Sequence, residues 1–134
     1  MKSHFKKFIY SLITLITISF MLAACDHIST NVNVCIYCDN DIVFEIKVKQ
    51  TNVETVYDLL VELDQTEDNF SFESNEGSYG VYITAFNNIS EKTENAKYYY
   101  WALYVNDQYS QTGVSSTKIE SNMSITFRYE SFDM

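Results

Sequence analysis

Apolar and polar residues alternate in two early stretches of the chain. Val32, Val34 and Ile36 are separated by Asn33 and Cys35, the period of two that a half-buried strand imposes. Beyond the turn-forming Asp39-Asn40-Asp41, Phe44, Ile46 and Val48 alternate with Glu45 and Lys47 within residues 42–48, so a hairpin is predicted. The period then changes. Val56, Leu59, Leu60 and Leu63 fall at i, i+3, i+4 and i+7, which is one apolar stripe on a helix. Thr55 and Asp58 form a capping arrangement at its start, and the stripe runs out near Asp64. Further strands are expected over residues 70–72, 80–85, 98–105 and 125–129. Residues 74–78 and 90–97 read as polar loops, and Asn106-Asp107 as a turn tolerant of positive φ. A hairpin, one helix and then several strands predict an α+β domain, a mixed or antiparallel sheet with one covering helix.

The N-terminus stands apart from this pattern. Lys2, Lys6 and Lys7 precede an apolar run over residues 9–24 that ends in Leu22-Ala23-Ala24-Cys25. A basic segment, an apolar segment of this length and a small-residue cleavage site make a signal peptide, and the aliphatic-small-small-Cys ending has the shape of a bacterial lipobox. The expected organisation is a signal peptide over 1–24, a tether over 25–31 that starts at a lipidated Cys25, and a folded domain over 32–134. An ordinary secretory signal that happens to precede a cysteine is the alternative. Six extended residues, 26–31, reach at most about 20 Å, so the domain is held close to the membrane.

Removing the signal sharpens the charge. All 18 Asp and Glu follow Cys25 but only six of the nine Lys and Arg do, a net charge of −12. Nucleic-acid binders cluster Lys and Arg, so a nucleic-acid partner is excluded. Adhesion to anionic lipid is disfavoured too, and the acyl chains must hold the protein at the membrane.

Candidate chemistry is sparse. Cys35-Ile36-Tyr37-Cys38 invites a redox reading, but the helix N-terminus that lowers a thiol pKa is missing after it. A zinc reading lacks ligands beyond His27. A local disulfide between Cys35 and Cys38, or two inert thiols, are the remaining options. The two histidines, His4 and His27, both precede the predicted domain, which removes imidazole catalysis from it. Three glycines, Gly77, Gly80 and Gly113, make no phosphate-binding loop. Asp39-Asn40-Asp41 lacks the spaced ligands of a calcium loop. A non-enzyme with no required cofactor or metal is expected.

Five of the seven residues from 98 to 104 are aromatic. In a strand, Tyr99, Trp101, Leu103 and Val105 share the more apolar face, while Tyr98, Tyr100 and Tyr104 surround Ala102 on the other. The first face is expected on the helix stripe and the second partly open. A phenol suits the open face, since its ring can stack while its hydroxyl stays wet.

Tyr79-Gly80-Val81-Tyr82-Ile83-Thr84-Ala85-Phe86, followed by Tyr100-Trp101-Ala102-Leu103-Tyr104-Val105-Asn106-Asp107, resembles the transcobalamin C-terminal-like domain, DUF4430 in bacterial proteins. Ser110-Gln111-Thr112-Gly113-Val114 resembles the loop after the family's Trp strand, and residues 55–60 the start of its helix. Asp107 and Asn122-Met123 stand where the family prefers Gly-containing turns, yet Asn and Asp are the side chains that best tolerate the left-handed region. The resemblance implies a β-grasp-like domain and, in vertebrate members, one that closes over a face of cobalamin while a second, helical domain holds the other face. Carried over by position, the implied ligand contacts are Tyr79, Gly80, Trp101, Gln111, Thr112 and Gly113; Tyr104 joins them from the tyrosine face.

The expected function is therefore that of a lipid-anchored extracytoplasmic protein at the cell membrane. It binds a small molecule, cobalamin or a related corrinoid, for delivery to a membrane importer such as a vitamin transporter. The alternative is a non-catalytic accessory or adhesive module with a protein or surface-polymer partner.

Overall fold

The computed structural model describes residues 30–49 and 51–134. The predicted signal peptide 1–24, Cys25 and most of the tether lie outside the described residues. The chain runs β1 (Val32–Cys38), β2 (Asp41–Val48), α1 (Val56–Thr66), β3 (Phe72–Gly77), β4 (Gly80–Phe86), β5 (Ile89–Ser90), β6 (Lys92–Glu94), β7 (Lys97–Val105), β8 (Gln108–Tyr109) and β9 (Met123–Asp133). This is the mixed α+β class expected, but the strands divide between two sheets. The larger has the order β2-β1-β9-β7-β6, with β8 also paired to β7; the smaller is β3-β4-β5. β1 runs parallel to β9 and antiparallel to β2, and β9 is antiparallel to β7.

Alternation explains the larger sheet. Val32, Val34 and Ile36 of β1 lie beside Met123, Ile125 and Phe127 of β9, and all six are buried with Trp101 and Leu103 of β7. The helix stripe, Val56, Leu59, Leu60 and Leu63, is buried in the same core. Burying one such aliphatic side chain stabilises the fold by roughly 1.5–3 kcal/mol. Phe70 and Phe86 complete the core, with Phe86 4.8 Å from the Phe127 ring and 5.1 Å from that of Trp101.

The capping arrangement forms: Asp58 N–H donates to Thr55 Oγ1 (3.2 Å) and Thr55 N–H to Asp58 Oδ2 (3.1 Å). The helix ends at Thr66, two residues past the expected end.

Two expected loops are strands. Residues 74–78 largely belong to β3, and residues 90–97 hold β6 and the ends of its neighbours. The chain makes its tight turns from Asn and Asp. Asn87-Asn88, Asn95-Ala96 and Asn106-Asp107 all have positive φ and join β4 to β5, β6 to β7 and β7 to β8. Two such residues between paired strands make the hairpin turn whose twist matches the sheet.

Cys35 and Cys38 are both free thiols, so the local disulfide weighed from the sequence is not formed. The reason is the strand itself. Cys35 pairs with Thr126 on the outer face, whereas Cys38, three residues on, packs against the core.

Candidate functional site

A cleft of about 400 Å³ opens where β4, β7 and the segment between β8 and β9 meet. That volume lies within the range of small-molecule sites. The segment 110–117 is held from two sides. Its carbonyls cap the helix, Thr117 accepting from Val56 N–H (2.9 Å) and Val114 from Tyr57 N–H (3.0 Å), which satisfies donors that a helix start leaves open. Toward β4, Ser115 Oγ accepts from Val81 N–H (3.1 Å).

Two glycines permit this approach. A Cβ on Gly113 would stand 2.9 Å from Val81 O and 3.2 Å from Tyr79 O. Gly80 sits at φ +97°, and a Cβ there would meet Ser115 Oγ at 2.7 Å. Only glycine adopts that backbone without strain. Gly80 is thus part of the frame and does not itself line the cleft.

Of the residues carried over by resemblance, Tyr79, Trp101, Gln111, Thr112 and Gly113 line this one cleft. Tyr79 is 93% exposed at the rim and Trp101 only 6%. The indole points into the core, its Nε1–H donating to Ile89 O (2.9 Å) and its ring against Phe86 and Tyr129. Trp101 is a core residue that also lines the cleft.

Tyr104 also stays outside the cleft. Its hydroxyl donates to Glu130 Oε1 (2.6 Å) and its ring carries the Arg128 guanidinium at 4.6 Å. Both belong to the outer face of the larger sheet.

The tyrosine face does reach the cleft through Tyr98 and Tyr100. Their rings are stacked, 6.3 Å apart and 3° from parallel, with Phe132 set edge-on against both. Tyr98 Oη donates to Glu91 Oε2 (2.6 Å), and this bond to a carboxylate, aided by partial burial, pushes the phenol pKa up to about 12. Burial raises the pKa of Tyr100. The bond to Glu130 raises that of Tyr104. These groups are neutral phenols at physiological pH, and they offer ring faces and oxygen lone pairs.

Glu91, Tyr82 and Tyr109 line the cleft as well and were not singled out from the sequence. Tyr82 stands just ahead of the buried run 83–86 of β4 and is 44% exposed; a phenol within an apolar strand was its one signal in the sequence. Glu91 lay in a presumed polar loop and carried none.

A second, more polar concavity lies on the outer face, between Asn33, Tyr37, Glu45 and Arg128. Among the described residues, no group of three or more His, Cys, Asp and Glu is placed to hold a metal ion. No helix among them is long and apolar enough to cross a membrane.

Comparison with solved structures finds the same fold in other proteins. Haptocorrin in complex with Cbi aligns with a TM-score of 0.67 at 18% identity, over 79% of this chain and 26% of that one. The chain thus spans about a quarter of the haptocorrin chain. A structure described as "a putative metal binding protein from Ruminococcus gnavus ATCC 29149" aligns with a TM-score of 0.60 at 12% identity, over 77% of this chain and 98% of that one. At these identities the likeness is one of fold. No curated protein matches the sequence. The family model described as "Domain of unknown function (DUF4430)" matches residues 54–131, a span that includes the helix, β4, β7 and the whole lining of the cleft. The chain belongs to the DUF4430 family.

Proposed function

We propose that the protein is an extracytoplasmic, lipid-anchored binding protein, and that its β-grasp-like domain captures a corrinoid or similar small molecule for a membrane importer. One observation carries the reading: a single cleft gathers Tyr79, Tyr98, Tyr100 and residues 111–113 from three separate parts of the chain. Such convergence of ring faces and polar groups in a concave site is what small-molecule recognition needs. The fold shared with haptocorrin supports a corrinoid as the ligand class. The lipobox at Cys25 supports the anchor and the location.

A cleft of about 400 Å³ can hold one edge or face of so large a molecule. The unaided protein should therefore bind weakly, with a partner such as an importer subunit supplying a second wall. The role assigned to the cleft in this reading is capture without catalysis.

The test is calorimetric titration of the whole protein in detergent micelles with cobinamide and cobalamin into the millimolar range. Saturable heat that falls at least tenfold in affinity for Tyr100→Ala supports the reading. Flat titrations of a folded sample overturn it and favour the accessory-module alternative, for which exposed Tyr79 and Phe132 (93% and 53% accessible) are the first contact candidates.

A further inference from the structure

Strand β2 ends one side of the larger sheet. Among the described residues it pairs with β1 alone, and no strand occupies its other edge. Such an edge presents a row of main-chain donors and acceptors, which proteins shorten, bulge or charge against unwanted pairing. The irregularity in the β1–β2 register leaves out Val43, so the stretch Phe44–Val48 runs unbroken beyond it. Along that stretch the two faces differ. Phe44, Ile46 and Val48 turn to the core, Phe44 buried and the other two half-buried against it. Glu45 and Lys47 are exposed on the outer face. Neither belongs to an ion pair among the described residues, where the ion pairs join Lys92 to Glu94 and Lys97 to Asp133.

We propose that this edge of β2 pairs antiparallel with β2 of a second copy of the chain, about a two-fold axis at Ile46. In a two-fold interface, residue i meets residue j of the partner and j meets i. Centred on Ile46, each Glu45 faces the partner's Lys47, twice over, and each Phe44 faces the partner's Val48 on the core side. Opposite charges directly across a ladder attract, whereas like charges repel. Moving the axis one residue sets Glu45 against its own copy in one direction and Lys47 against its own copy in the other. Axes between residues set a core-facing position against a solvent-facing one. A lysine that deters foreign strands thus admits this one, in a single register. The two larger sheets become continuous, and their apolar faces join. Because β7 lies on the far side of the sheet from β2, both clefts stay open, and the pairing is independent of what they bind.

The test is the oligomeric state of the whole protein in micelles, read by density-matched sedimentation over a rising concentration series. The unaltered chain should dimerise. Glu45→Lys sets lysine against lysine and Lys47→Glu sets carboxylate against carboxylate, so each variant alone should dimerise at least about tenfold more weakly. An equimolar mixture of the two variants restores an opposite charge at every one of these positions, and it should regain the affinity of the unaltered chain. That recovery also shows that both variants are folded. A monomeric unaltered chain, a dimer that neither substitution weakens, or a mixture as weak as its components overturns the proposal.

Discussion

Strand β7 carries aromatic side chains on both faces, and the two faces do opposite things. On one, Trp101 is sealed against Phe86 and Tyr129 with its indole N–H spent on Ile89 O. On the other, Tyr98 and Tyr100 stack at the mouth of a cleft, their rings half-buried and their hydroxyls turned to Glu91 and Glu130. Residue type does not separate them. The partner does: the first face meets a helix and the smaller sheet, and the second meets no covering layer. An aromatic run is thus evidence of a strand before it is evidence of a site.

Substitutions on the two faces should separate stability from binding. Trp101→Ala is expected to cost about 3–5 kcal/mol, read by denaturant melts. Loss of ligand in that variant would say nothing about contact. A stable, folded Trp101→Ala that loses binding would break the comparison. Trp101→Phe keeps much of the apolar area but strands the Ile89 carbonyl, and about 1–3 kcal/mol is expected.

On the other face Tyr100→Ala should cost about 1 kcal/mol while weakening cobinamide about tenfold or more in the same calorimetric titration. A drop in stability as large as that of Trp101→Ala would show that both faces are core.

The gentlest probe is titration. Folding favours the neutral Tyr98 phenol, so the stability it contributes is present below the ordinary tyrosine pKa near 10 and is lost as pH rises through about 12. Phenolate absorbance should show Tyr98 among several late-ionising tyrosines, and Glu91→Gln should bring its ionisation to lower pH. An unchanged titration in that variant would place the cause elsewhere.

Much of this is legible in the sequence. The helix and its cap followed from a stripe and two residues. The two faces of β7 followed from alternation, and five positions of the cleft from the resemblance in residues 79–86 and 100–114. What was not legible has physical causes. β3 reads Phe-Glu-Ser-Asn-Glu-Gly and is mostly exposed, so it lacks the apolar alternation by which strands announce themselves. β6 is three exposed polar residues held by a tight turn whose second position is Ala96, at φ +59°. No propensity anticipates that conformation for alanine. Gly80 and Tyr104 were placed in the site by analogy and by face. One proved to be frame, and the other turns to Glu130 on the open side of the sheet.

The parallel pairing of β1 with β9 bears on how the chain folds. The strands that meet at the centre of the larger sheet come from opposite ends of the described chain, Val32 lying beside Met123. The β1–β2 hairpin emerges first in synthesis and has to wait some ninety residues for its neighbour. Contacts so distant in sequence close slowly, on the millisecond-to-second scale of about 10⁻³–1 s typical of sheet-rich domains. Until the last strand arrives, the growing polypeptide has no finished core, and its first hairpin stays open to other partners.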